Sequence, residues 1–197
     1  MAAHRPQEIQ VPPVHELILG GARSGKSRRA EDLAAGWMSG GADRSALLVA
    51  TALAADPEMA ARIRRHQADR AVFAPGLRTL EVPLELPAAL REQDDPRCML
   101  VVDCLTLWIT QCLLPPPGWP AQDWASLERA LLDAVRQAHS PLVFVSNEIG
   151  LGVMPLSTEA RRCVDALGRL HQRLAVLCGR VTLMVAGLPL SVKGCAE

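Results

Sequence analysis

The chain has 197 residues, 49% of them hydrophobic and 21% charged, with Lys plus Arg equal to Asp plus Glu at 21 each. That length suits one substantial α/β domain better than two, and the balanced charge offers no field to draw DNA, RNA or an anionic membrane. No apolar run approaches the roughly 20 residues of a membrane span, and the polar Met1–Pro13 segment lacks the apolar stretch of a signal peptide, so the expectation is a cytoplasmic protein.

Short apolar runs alternate with amphipathic stretches, the pattern of a mostly parallel sheet with helices on both faces. Residues 1–14 read as an extension and 15–197 as a single domain. His15 to Leu19 is the first expected strand. Ala30, Leu33, Ala34, Trp37 and Met38 then recur at helical spacing until Ser39-Gly40-Gly41. Ala46 to Thr51 reads as a second strand, and Asp56 can cap a helix opened by Pro57 that carries Met59, Ile63, His66 and Arg70. A weaker strand, Arg78 to Val82, precedes a short helix over Leu86 to Arg91. Cys98 to Asp103 is a clear buried strand ending in an acid.

Leu105 to Leu113 continues as a helix until the Pro115-Pro116-Pro117 loop. The next helix shows Trp124, Leu127, Leu131, Val135 and Ala138 on one side. Pro141 to Ser146 is a strand that leads into the glycine-bearing loop Asn147 to Pro155. A helix from about Glu159 to Leu177 follows, and Val181 to Val185 closes the sheet as its last strand. The six cysteines (Cys98, Cys104, Cys112, Cys163, Cys178, Cys195) form no C-x-x-C pair and read as reduced core thiols.

Between the first strand and the first helix stands Gly20-Gly21-Ala22-Arg23-Ser24-Gly25-Lys26-Ser27, which matches G-x-x-x-x-G-K-S. Such a loop turns backbone N–H groups toward phosphate oxygens beside a helix N-terminus, Lys26 reaches the outer phosphates, and Ser27 ligates magnesium. A glycine-rich turn that binds nothing fits the pattern less well, because both flanks agree with a phosphate loop. Asp103, at the end of a buried strand, suits the second magnesium ligand; a helix N-cap is the lesser reading and does not exclude the first. His66 stands near Met59 and Ile63, where a core histidine would sit, but also beside Arg62, Asp69 and Arg70. A neutral imidazole among arginines that hold phosphate is able to attack an α-phosphorus. Glu31, Asp32, Arg129 and Asp133 read as solvated helix faces.

Several separated segments carry a resemblance. They are Gly20 to Arg28 with Ala30-Glu31, Ala50-Thr51, Glu58 to Ile63 ahead of His66, Arg78-Thr79 with Glu81, Asp103 to Thr106, and Asn147 to Val153 with Pro155. With these, the chain from about Glu16 to Lys193 resembles the bifunctional adenosylcobinamide kinase and adenosylcobinamide-phosphate guanylyltransferase family. The resemblance implies a RecA-like P-loop NTPase fold, a guanylylated nucleophile at His66, and triphosphate binding by Gly20 to Ser27. It further implies nucleotide contacts at Thr51, Ala52, Leu53, Ala68, Asp69, Arg70, Ala71, Glu81 and Asp103. Magnesium, GTP and ATP, adenosylcobinamide and its phosphate, and a homotrimer follow from it too. Arg65 stands where a second histidine often precedes the nucleophile, and Asp103 where glutamate can stand.

Other readings fit less well. A regulatory GTPase would show D-x-x-G and N-K-x-D where this chain has Asp103-Cys104-Leu105-Thr106 and Asn147-Glu148-Ile149-Gly150. A nucleic-acid motor lacks a basic, aromatic surface. A small-molecule kinase without guanylyl transfer remains open, with His66 then only structural.

Overall fold

The computed structural model describes residues 14–54, 57–153 and 155–194, and all of these but the side chain of Arg62 are placed. Met1–Pro13, the capping residue Asp56, the side chain of Arg62 beside His66, and Cys195 therefore lie outside what is described. The elements in chain order are β1 (Glu16–Gly20), α1 (Lys26–Ser39), β2 (Ser45–Ala50), α2 (Pro57–Phe73), β3 (Arg78–Glu81), α3 (Leu86–Glu92) and β4 (Cys98–Asp103). They continue with α4 (Leu105–Leu113), α5 (Trp124–Gln137), β5 (Leu142–Val145), α6 (Thr158–Leu177), β6 (Arg180–Val185) and β7 (Leu188–Lys193). One seven-stranded sheet has the order β3-β2-β4-β5-β1-β6-β7. All its pairings are parallel except β6 with β7.

The apolar strands are continuous because both faces are covered, so successive residues enter different cores. Leu17, Leu47, Val49, Leu100, Val102, Leu142 and Phe144 pack against α3, α4, α5 and α6. Their strand neighbours Ile18, Ala46, Leu48, Val101, Val143 and Val145 meet Ala30 and Ala34 of α1. Trp108 of α4 is fully buried, and its indole Nε1 donates to the Leu84 carbonyl at 2.7 Å. Local chemistry sets the ends of these elements. The side chain of Asp123 accepts from Ala125 N at the start of α5, and that of Ser157 from Ala160 N at the start of α6.

The sheet does not close at Val185. Ala186 and Gly187, with φ of 51° and 83°, make a two-residue turn into the antiparallel β7, which pairs Val185 with Leu188. An alanine at the first left-handed position hides the turn, and Pro189 argues against a strand in sequence while being tolerated at a sheet edge. Cys98, Cys104, Cys112, Cys163 and Cys178 are free and buried as expected, and burial pushes the Cys112 and Cys178 thiols up to about 12. Among the described residues no helix is long and apolar enough to cross a membrane.

Candidate active site

The order of strands sets the site. β1 delivers the loop Gly20–Gly25 and β4 delivers Asp103, with β5 between them, so all three ends open at one edge of the sheet. Gly20, at φ 149°, lies so close to β6 that a Cβ there would stand 2.6 Å from the Met184 carbonyl oxygen. Gly25 takes φ 98° directly before α1, a left-handed geometry that glycine adopts without strain. The turn missed in the sequence props this loop from behind, since Gly187 N donates to Ser24 O at 3.0 Å. Lys26 is only 7% exposed, and its amine donates to Gly20 O at 2.9 Å and Gly21 O at 2.6 Å. Those bonds hold a compact cation inside the loop's curve, where phosphate oxygens would meet it.

Asp103 is followed by a turn clamped from β2. Thr51 Oγ1 donates to Cys104 O at 2.7 Å and accepts from Cys104 N at 2.9 Å. Thr51 N donates to Asp103 O at 3.1 Å, and Gln111 Nε2 donates to Thr51 O at 2.9 Å. Thr51 is fully buried, so this residue, expected to touch nucleotide, spends its polar groups on holding the Asp103–Cys104 segment.

The loop, α1 and α2 enclose a cleft of about 760 Å³ lined by Ala22 to Arg28, Glu31, His66, Asp69, Asp103 and Asn147 among others. A smaller pocket of about 90 Å³ shares Ser27, His66 and Asp103 with it and adds Ala52, Arg70, Thr79 and Glu81. Lys26, Ser27, His66 and Asp103, remote in sequence, thus share one cleft. Asp69 joins the cleft; Ala52, Arg70 and Glu81 join the pocket; Leu53, Ala68 and Ala71 line neither.

Of the four charged residues expected on solvated helix faces, one is not there. Asp32 pairs with Arg28 at 3.0 Å and Asp133 with Arg136 at 2.7 Å on exposed faces, as expected, and Arg129 is exposed. Glu31 is not on such a face: it is 6% exposed and lines the cleft. Burial pushes its carboxyl above the usual range, Asp103 adds to this, and Arg70 and Arg28 oppose it. Its place one helical turn after Ser27, on the face with Ala30 and Ala34, was the available signal. Asn147 and His171 also carry no role in the sequence reading. For Asn147 the signal was its place in a loop directly after a buried strand; for the helical His171 there was none.

Comparison with known proteins gives the same direction. The family model described as cobinamide kinase / cobinamide phosphate guanyltransferase matches residues 16–192. The bifunctional adenosylcobalamin biosynthesis protein CobP of Pseudomonas aeruginosa is 48% identical over 181 residues, covering 92% of this chain and 98% of that protein. The corresponding protein CobU of Salmonella typhimurium is 34% identical over 190 residues, covering 90% and 98%. Among solved structures, flagellar accessory protein FlaH of Methanocaldococcus jannaschii aligns with a TM-score of 0.52 at 13% identity, covering 95% of this chain and 84% of that one. A Pyrococcus horikoshii protein aligns at 0.50 and 11%, covering 95% and 90%. These two likenesses concern fold alone, an α/β P-loop sheet.

Proposed function

Because the chain belongs to the cobinamide kinase / cobinamide phosphate guanyltransferase family, we propose that it phosphorylates adenosylcobinamide with ATP or GTP and then transfers GMP to that phosphate through a guanylyl-His66 intermediate. The observation that carries this reading is the shared cleft, which His66 lines together with the phosphate loop and Asp103.

In the first reaction the cobinamide hydroxyl oxygen bonds to the γ-phosphorus as the bridging bond to the β-phosphate breaks. The nucleoside diphosphate leaves and the hydroxyl proton passes to solvent. In the second, a neutral imidazole nitrogen of His66 attacks the α-phosphorus of GTP and pyrophosphate leaves. An oxygen of cobinamide phosphate then displaces His66 from that phosphorus, giving adenosylcobinamide-GDP and the free imidazole. Lys26 meets charge developing on the outer phosphates in both steps.

Ser27 hydroxyl and Asp103 carboxylate are hard oxygen donors in one cleft, the set magnesium takes when phosphates and water complete its shell. Bound there, the ion would neutralise phosphate charge. Gly20 to Ser27 would hold phosphates, while Ala52, Asp69, Arg70 and Glu81 would hold the rest of the same nucleotide. We further propose a homotrimer working in the cytoplasm, with residues 15–197 as one catalytic domain.

Incubation with α-labelled GTP and magnesium should leave an acid-labile, base-stable label on the wild-type protein and none on His66→Ala, while His66→Ala still phosphorylates cobinamide. A wild-type protein that phosphorylates cobinamide without acquiring label would be a kinase alone, and the guanylyl half of the proposal would fall.

A further inference from the structure

We propose that Asn147 donates a hydrogen bond to the terminal phosphate of the bound nucleoside triphosphate, and that a chain made of the buried Ser146 and His171 with the half-buried Glu148 and Thr106 positions it. This rests on the nucleotide-binding reading of the cleft but not on the identity of the phosphoryl acceptor.

Asn147 follows β5, the strand between the one that ends in the phosphate loop and the one that ends in Asp103. Its backbone has no freedom to turn away. Ser146 N donates to Ile18 O at 3.0 Å, Asn147 N to Thr106 Oγ1 at 2.8 Å, and Glu148 N to Gly20 O at 3.0 Å. Three successive amides are thus fixed to β1 on one side and α4 on the other. The Asn147 side chain lines the cleft, and among the described residues its carboxamide has no hydrogen-bond partner. An unpaired carboxamide there can donate through Nδ2 to a phosphate oxygen, and being neutral it does not repel the phosphate as a carboxylate would.

Behind it lies a polar chain that a core would not otherwise hold. Ser146 is fully buried, with Oγ 2.7 Å from His171 Nε2 and 3.3 Å from Thr106 Oγ1. His171, on α6, is 6% exposed, and its Nδ1 stands 3.5 Å from Glu148 Oε2 without hydrogen-bond geometry. Glu148 Oε1 accepts from Gly150 N at 3.1 Å. Apolar side chains would fill positions 146 and 171 with less desolvation; what these polar groups add is one defined geometry for the segment that presents Asn147. His171 touches no substrate in this scheme and is a positioning residue.

The test uses the full-length protein and two probes, GDP and the β,γ-imido analogue of GTP, each with magnesium. The readout is the ratio of their dissociation constants, measured by calorimetry beside the melting temperature. Asn147→Ala should shrink the wild-type preference for the triphosphate by about tenfold, the scale of one hydrogen bond to a charged group, while GDP binding stays within about threefold. His171→Ala should shrink it less, and adding it to Asn147→Ala should change nothing more. His171→Gln, which can return a donor toward Ser146, should restore part of the preference.

An unchanged ratio in Asn147→Ala overturns the contact. Losses that multiply in the double variant, or a His171→Ala protein that melts lower with its ratio intact, overturn the positioning role. If His171→Ala does not fold, Ser146→Ala interrogates the same link. Failure of the wild type to phosphorylate cobinamide would remove the proposed reaction while leaving this ratio readable.

Discussion

The phosphate loop and α2 face each other across the same cleft, but the first is tied into the sheet while the second is laid over it. Gly20 O receives both Lys26 Nζ and Glu148 N, Ser24 O receives Gly187 N, and α1 sinks Ala30 and Ala34 into the core. None of the described side chains of α2 is buried. Its attachments include the Phe73 ring, which the Arg28 guanidinium covers at 3.7 Å from the centroid. A loop whose geometry belongs to the whole sheet suits the task common to two reactions, and a surface helix suits the nucleophile proposed for one. Changes in the loop should therefore damage both reactions, and changes in α2 the guanylyl step, as the His66→Ala test above already requires.

Lys26→Ala gives the largest effect on this contrast. Both cobinamide phosphorylation and labelling of His66 should fall by about 10²–10³-fold, the scale for removing one preorganised donor to a developing phosphate charge. Radiometric assays of the two reactions on one preparation measure this. A variant that loses only one reaction would show that the loop is not their common cradle.

Gly20→Ala should act through the fold. Its Cβ would meet the Met184 carbonyl and Ser24 Oγ, both at 2.6 Å, at a φ of 149°. A strained backbone of this kind costs about 1–3 kcal/mol, which for a chain of this size lowers the melting point by about 2–4 °C per kcal/mol. Calorimetry that finds no loss would mean that the loop yields locally and is less firmly tied to β6 than its bonds indicate.

The same contrast explains what could be read from the sequence. The loop side was legible because its chemistry is local: strand, glycines, Lys26 and Ser27 follow one another, and β4 carries its acid at its own end. The α2 side was half legible. Helical spacing placed His66 beside charged residues but on its own favoured a core role, and the reading of it as a nucleophile came from the resemblance. What sequence could not carry were couplings between distant segments. Thr51, a nucleotide contact by resemblance, clamps Cys104, 53 residues away, which no local pattern announces. The β6–β7 turn that props Ser24 was hidden by Ala186, and the pairing of His171 with Ser146 needs the parallel sheet to exist first. Glu31 departs from the solvated face expected of a charged helical residue because it shares a face with the buried Ala30 and Ala34.

Glu31 also provides the finest test of how the two walls meet, since Arg70 of α2 is the strongest opposing charge acting on it. Burial, the larger influence, raises its carboxyl above the ordinary value of 4.5. The folded protein therefore binds a proton more readily here than the unfolded chain, and stability falls as pH rises through the folded value. Below about 4.5 both states are protonated and the penalty is absent. Glu31→Gln keeps the shape and removes the titration, so it should melt higher than wild type at pH 7.5 and converge with it toward pH 4. The expected gain is a small one, read by scanning fluorimetry across that range. The opposite sign at neutral pH would mean that attraction to Arg70 outweighs burial, and α2 would then be held to the loop side by charge rather than resting over it.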